Sequence, residues 1–143
     1  MSAPDYLRLS GTELPEPGKA AAHKAIVVIE EGLDPAAQSA LAAWLVDQHC
    51  LYAMVWARGL LGSQCPAVVD AIWIASRQAF PTTAVPDDRV VIATSHEGES
   101  LKDVFWFAKN TASHPCDPLD HTVILHIGST GREQELLESF AAA

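Results

Sequence analysis

Two short acidic turns hold most of the residues whose types and spacing could do chemistry. Ser95-His96-Glu97-Gly98-Glu99 sets an imidazole beside two carboxylates, and Ile29-Glu30-Glu31-Gly32-Leu33-Asp34 carries three more. Carboxylates brought together in a cleft repel one another and demand a cation, a shared proton or an arginine. Glu31, Glu97 and Glu99 around Mg²⁺, with His96 as general base, would make a metal-dependent phosphoryl-transfer or nucleotide-binding enzyme. Arg58, in the loop Arg58-Gly59-Leu60-Leu61-Gly62-Ser63, is a cation that the same edge of the fold would collect. The competing reading leaves all these groups in water, as turn residues and first-turn acids that favour a helix N-terminus.

Other chemistry-bearing stretches are weaker. His114-Pro115-Cys116-Asp117 and Asp120-His121 mix ligand types without the paired spacing of a structural zinc site, so they read as a stiff loop with a stray thiol. Gly128-Ser129-Thr130-Gly131 has the shape of an anion-binding turn but neither a G-x-G-x-x-G nor a Walker pattern. Cys65 precedes Pro66 near a helix start, where a dipole can lower a thiol pKa, although no histidine is placed to use it. His126 lies inside an apolar strand and reads as a satisfied core or edge histidine. There is no G-x-S-x-G nucleophile elbow.

The elements that must position these groups alternate strictly. Residues 24–30, 52–57, 90–93 and 121–127 are apolar runs of the kind covered on both faces in parallel sheets. Between and after them, helical spacing runs from Asp34 as N-cap through about Cys50, from Pro66 to about Phe80, and from Ser100 through Lys109. A short final helix opens on the pair Thr130 and Glu133. Right-handed crossovers make this a three-layer α/β/α fold, (βα)4, on a four-stranded parallel sheet. The expected strand order is 2-1-3-4, with 3-2-1-4 as the alternative. In the first, strands 1 and 3 are neighbours, which would bring Glu30 or Glu31 near Glu97 or Glu99. Residues 1–23, with their prolines and glycines, read as an extended arm ahead of a single domain at 24–143, unless Tyr6 and Leu7 pack on the sheet edge or on a second subunit.

Composition narrows the partners. The chain has 143 residues, enough for one domain with its own core. Its 18 acidic and 9 basic residues give a formal charge of -9, which argues against a nucleic-acid backbone as ligand. Three cysteines in no C-x-x-C spacing suit a reducing compartment, and neither a signal peptide nor a membrane span is visible, so a cytoplasmic location is expected.

Phe105-Trp106-Phe107 in the third helix cannot all face one core, because successive residues turn by about 100°. At least one of them must meet a second surface. The run from His96 to Lys109, with Tyr52-Ala53-Met54-Val55-Trp56 before it and Thr122 to Ile127 after it, resembles a family of small uncharacterised bacterial α/β domains. That resemblance extends from about Lys24 to the C-terminus and implies no catalytic residue. More locally, Ile29 to Asp34 resembles the first motif of the toprim domain. There Glu31 would be the acid, and Glu97-Gly98-Glu99 would replace the family's Asp-x-Asp as metal ligands.

The leading expectation is a non-catalytic module that works by contact with a basic protein partner or with itself. A specific form is an immunity-type protein that masks a basic toxin. Phe105, Trp106 and Phe107 would supply anchors, Glu97 and Glu99 an acidic rim, and Arg58 a further contact. No cofactor is expected under this reading.

Overall fold

The apolar run beginning at Lys24 forms the centre of the sheet. In the computed structural model, which describes residues 3–9, 14–15 and 21–143, β1 (Asp5–Leu9), β2 (His23–Ile29), β3 (Cys50–Ala57), β4 (Ile92–Ser95) and β5 (Thr122–Ile127) make one sheet in the order β1-β5-β2-β3-β4. Every pairing is parallel. Four α-helices, α1 (Pro35–Asp47), α2 (Gln64–Gln78), α3 (Leu101–Asn110) and α4 (Glu133–Ala142), cover its two faces. Side chains of β2 alternate between two cores. Ala25, Val27 and Ile29 meet Leu41, Leu45, Val68 and Ile72 of α1 and α2. Ile26 and Val28 meet Val104, Phe105, Leu136 and Phe140 of α3 and α4.

The expected α/β class with a parallel sheet holds, and the four-stranded count and leading order do not. Asp5–Leu9, expected within an extended arm, adds a fifth strand by pairing with β5. Its apolar side chains explain the docking. Leu9 is buried, while Leu7 packs against one core and Tyr6 against the other. Without β1, the hydrogen-bonding edge of β5 would be open. The rest of the arm, at residues 1–2, 10–13 and 16–20, lies outside the described residues.

The order 2-1-3-4 fails because it leaves residues 52–57 at an edge. All eight residues of β3 are buried, and such a strand belongs between neighbours, here β2 and β4. The short, half-exposed β4 takes the edge instead. The four expected strands thus run 3-2-1-4 among themselves, but with β1 outside β5 neither four-stranded order describes the sheet. The chain steps from β2 to β3 to β4, then returns across the sheet to place β5 on the far side of β2. That reversal puts the crevice of a doubly wound sheet between the carboxyl ends of β2 and β5.

Local signals set the starts of two of the four helices. Asp34 Oδ1 accepts from the Ala37 N–H at 2.8 Å with Pro35 in the first turn, and Ser100 Oγ accepts from the Asp103 N–H at 3.1 Å. The first helix stops before Cys50, at Asp47, where His49 turns the chain with φ 63° and Cys50 opens β3. The pair Thr130 and Glu133 does not cap α4, whose N-cap is Arg132 with no side-chain bond to the backbone. Two lysines serve helix C-termini, where cations are favoured. Buried Lys24 donates to the Ala108 carbonyl at 2.5 Å, and Lys109 donates to the Phe140 and Ala143 carbonyls at 3.0 and 2.9 Å.

The aromatic triplet of α3 divides as helical geometry requires. Phe105 is wholly buried, edge-on to Phe140 at 5.5 Å. Phe107 stands edge-on to His96 at 4.9 Å and to Tyr52 at 6.1 Å. Trp106 remains 54% exposed. Phe105→Ala should therefore cost about 3–5 kcal/mol, the range for truncating a core aromatic. Trp106→Ala should stay within about 0.5 kcal/mol of wild type. Urea unfolding of the two variants checks both values.

Candidate functional site

Glu30, the first residue past β2, stands at the crevice and gathers side chains from three other segments, with a fourth reached through His126. Its Oε2 accepts from Arg58 Nε, just past β3, and from Arg132 Nη1 at the start of α4, both at 2.5 Å. Its Oε1 lies 2.6 Å from Nε2 of His126 on β5. On the other side of the ring, His126 Nδ1 lies 2.7 Å from the Tyr6 hydroxyl of β1, which also accepts from the Arg132 backbone N–H at 3.2 Å. Arg132 further donates to both carboxylate oxygens of Glu135.

The polarity of this line is self-consistent with a neutral imidazole. The Arg132 N–H donates to the Tyr6 oxygen, the Tyr6 hydroxyl donates to Nδ1, and Nε2–H donates to Glu30. That tautomer is assigned from the partners. Two guanidinium groups face two carboxylates, so the charges of the cluster balance. Burial alone would push the Glu30 carboxyl up, but hydrogen bonds from Arg132, Arg58 and His126 outweigh it and hold the group below the ordinary glutamate value. Glu135 is likewise held low by Arg132. Gly128 permits a close approach here, since a Cβ at that position would lie 3.0 Å from His126 Nε2 and push on the imidazole. Glu30 and His126 are nearly sealed, with side chains 12% and 1% exposed. Each has internal partners, so the line braces the fold and presents no free acid or base.

The sequence-derived candidates fall into a second group, around the carboxyl end of β3. His96 is buried, with Nε2 2.7 Å from Thr94 Oγ1 and Nδ1 2.9 Å from Glu99 Oε2. Trp56 donates its indole N–H to the Glu99 carbonyl at 2.7 Å, and the Arg58 guanidinium lies 5.9 Å over the Trp56 ring. Glu97 packs its stem against Gly62, where a Cβ would meet Glu97 Cγ at 3.3 Å. Glu31 follows β2 whereas Glu97 and Glu99 follow β4, and β3 lies between those strands, so the adjacency expected to join them is absent. Among the described residues, no group of three or more His, Cys, Asp or Glu side chains is arranged to hold a metal ion.

Several of the remaining candidates are internally occupied, whereas the Cys116 thiol is free and exposed. His114 lies 2.8 Å from the Val90 carbonyl and accepts from the Cys116 N–H, Asp117 accepts from the Leu119 N–H, and His121 pairs with Asp5. Burial, assisted by the negative charge of Glu97, pushes the Cys65 thiol up to about 11, opposite to the activation expected of a helix start. A cavity of about 590 Å³ beside Pro15 and Ala21 includes Tyr6 and no other residue of the Glu30 network.

Sequence reasoning named Glu30, Arg58 and His126 separately and missed Arg132 as a partner and Tyr6 as the far end of the line. The available signal was Tyr6 in an apolar stretch that could dock on the sheet edge.

A family model described as a domain of unknown function, DUF7684, matches residues 4–143. Neither a curated protein nor a solved structure matches the chain.

Because the Glu30 carboxyl titrates lower in the folded protein than in the unfolded chain, its contribution to stability is present above the ordinary value of 4.5 and lost as pH falls through the folded value. Glu30→Gln should flatten the acid limb of stability against pH and cost about 2–3 kcal/mol at neutral pH, as expected for hydrogen bonds to a charged group. Tyr6→Phe should cost about 1–1.5 kcal/mol and leave the acid limb in place. Denaturant titrations across the acid range measure both.

Proposed function

The chain belongs to the DUF7684 family, a domain of unknown function, and from that premise we propose that it is a non-catalytic interaction module for a basic protein partner. The contact surface is the corner where the loop after β3 meets the start of α3. The observation that carries this reading is the state of Leu60. Its side chain is fully exposed on the 3-10 turn Gly59–Ser63, between Arg58 and the close approach of Gly62 to Glu97. A lone exposed leucine means little. This one stands on a short turn whose surroundings are charged and ordered. Arg58 lies over Trp56, Trp56 is bonded to the Glu99 backbone, and Glu97 and Glu99 are exposed beside them. An apolar side chain ringed by polar groups matches the core-and-rim layout of a protein interface.

The charge balance supports a basic partner. Of the nine basic residues, Lys24 and Lys109 bind helix carbonyls, and Arg58 and Arg132 bind Glu30. The formal charge of -9 would steer a cationic protein toward the chain. An immunity-type protein that masks a basic toxin is one form of this activity. Of the three aromatics expected as anchors, Trp106 on the exposed side of α3 is available, whereas Phe105 is spent in the core and Phe107 covers His96. The metal-dependent alternative through Glu31, Glu97, Glu99 and Mg²⁺ draws less support, because both ring nitrogens of its general base, His96, already have partners.

Affinity capture with the tagged chain tests the proposal. Proteins retained by wild type should be basic, should elute as salt is raised, and should be lost with Leu60→Asp and with the charge reversal Glu97→Lys/Glu99→Lys. Equal retention by wild type and both variants, or a retained set with no basic bias and no salt dependence, overturns it. Circular dichroism establishes that each variant keeps its fold.

A further inference from the structure

We propose that the chain forms a two-fold symmetric homodimer in which α2 packs antiparallel against α2 of a second copy. Asp70, Trp73, Ile74 and Arg77 follow the i, i+3, i+4, i+7 spacing of a single helix face. All four are exposed, Trp73 at 48% and Ile74 at 56%. A tryptophan and an isoleucine side by side on an outer helix face are an unpartnered apolar patch.

The charges around that patch identify the occupant. Asp70 and Arg77 are the only charged residues of α2, and neither makes an ion pair among the described residues. They stand at equal distances in sequence on either side of the midpoint between Trp73 and Ile74. An antiparallel pairing about a two-fold axis through that midpoint sets Trp73 of each copy over Ile74 of the other. It sets Asp70 of each copy against Arg77 of the other, twice. This is the self-complementarity of an isologous interface, in which residue i meets j and j meets i. A parallel pairing would set Asp70 against Asp70 and is disfavoured by the same charges. The helix itself carries no net charge, in a chain of formal charge -9.

Shape agrees with charge. A groove of about 550 Å³, lined by Ile74, Arg77, Phe80 and Pro81 among others, opens at the C-terminal end of α2. In the antiparallel arrangement it faces the helix start of the second copy, where Pro66 and Ala67 are exposed and small enough to enter. The dimer uses the face of the sheet opposite α3 and leaves Trp106 uncovered.

Sedimentation analysis of the full chain over a range of concentrations tests the inference. Wild type should sediment near twice the 15.3 kDa chain mass. Asp70→Arg and Arg77→Asp should each weaken the dimer about tenfold or more, since a two-fold interface counts every reversed pair twice. Mixed in equal amounts, the two variants should dimerise with each other, because one then carries two cations on this face and the other two anions. The double reversal in one chain should also restore the dimer. A wild type that stays monomeric, single variants that dimerise as wild type does, or a mixture that stays monomeric would each overturn the proposal. None of these outcomes bears on Leu60, so this inference and the proposed function fail separately.

Discussion

The carboxylate of Glu30 is the point on which the carboxyl edge of this sheet depends. It follows β2, the central strand, and through Arg58, Arg132 and His126 it ties together the ends of β3 and β5 and the start of α4. Tyr6 carries the same connection to β1 at the sheet edge. A nearly sealed carboxylate without cations would be costly. The cluster is stable because its members are present together and their hydrogen bonds are satisfied. The switch point of a doubly wound sheet is the ordinary place for a ligand, and in this chain the protein's own side chains occupy it.

The same internal use of charge shapes the rest of the molecule. Four of the nine lysines and arginines close helix ends or bind Glu30, and Lys24 among them is buried. An acidic surface favours encounter with basic proteins and discourages contact with phosphate backbones. The two proposed contact surfaces differ in this respect. The corner at Leu60 has an acidic rim and suits a partner of opposite charge, whereas α2 is balanced and suits a copy of itself.

Much of the fold was legible along the chain because it rests on local physics. The apolar run Lys24–Ile29 reads as a strand covered on both faces, and Asp34-Pro35 and Ser100 with Asp103 read as helix starts, since capping involves residues three apart. The aromatic triplet announced that α3 must show a side chain to the outside, because the angle between successive helical residues leaves no alternative. What could not be read was which of the three it would be. Phe105 is inside because Phe140, on another helix, stands where its ring must go.

The sequence by itself thus determined the α/β class, the parallel pairing of buried strands, the starts of α1 and α3 and the acidic balance. Each of these follows from the spacing of neighbours along the chain or from composition alone. Only the tertiary structure decided that β3 lies between β2 and β4, that Asp5–Leu9 joins the sheet, and that Glu30, rather than Glu31, Glu97 or Glu99, is the carboxylate around which other groups assemble. The pairs Tyr6 with His126 and Glu30 with Arg132 join residues roughly a hundred or more positions apart. No local preference encodes such a contact. It exists because the return of the chain over β2 places β5 and the start of α4 beside a carboxylate that leaves the central strand on the α4 side of the sheet.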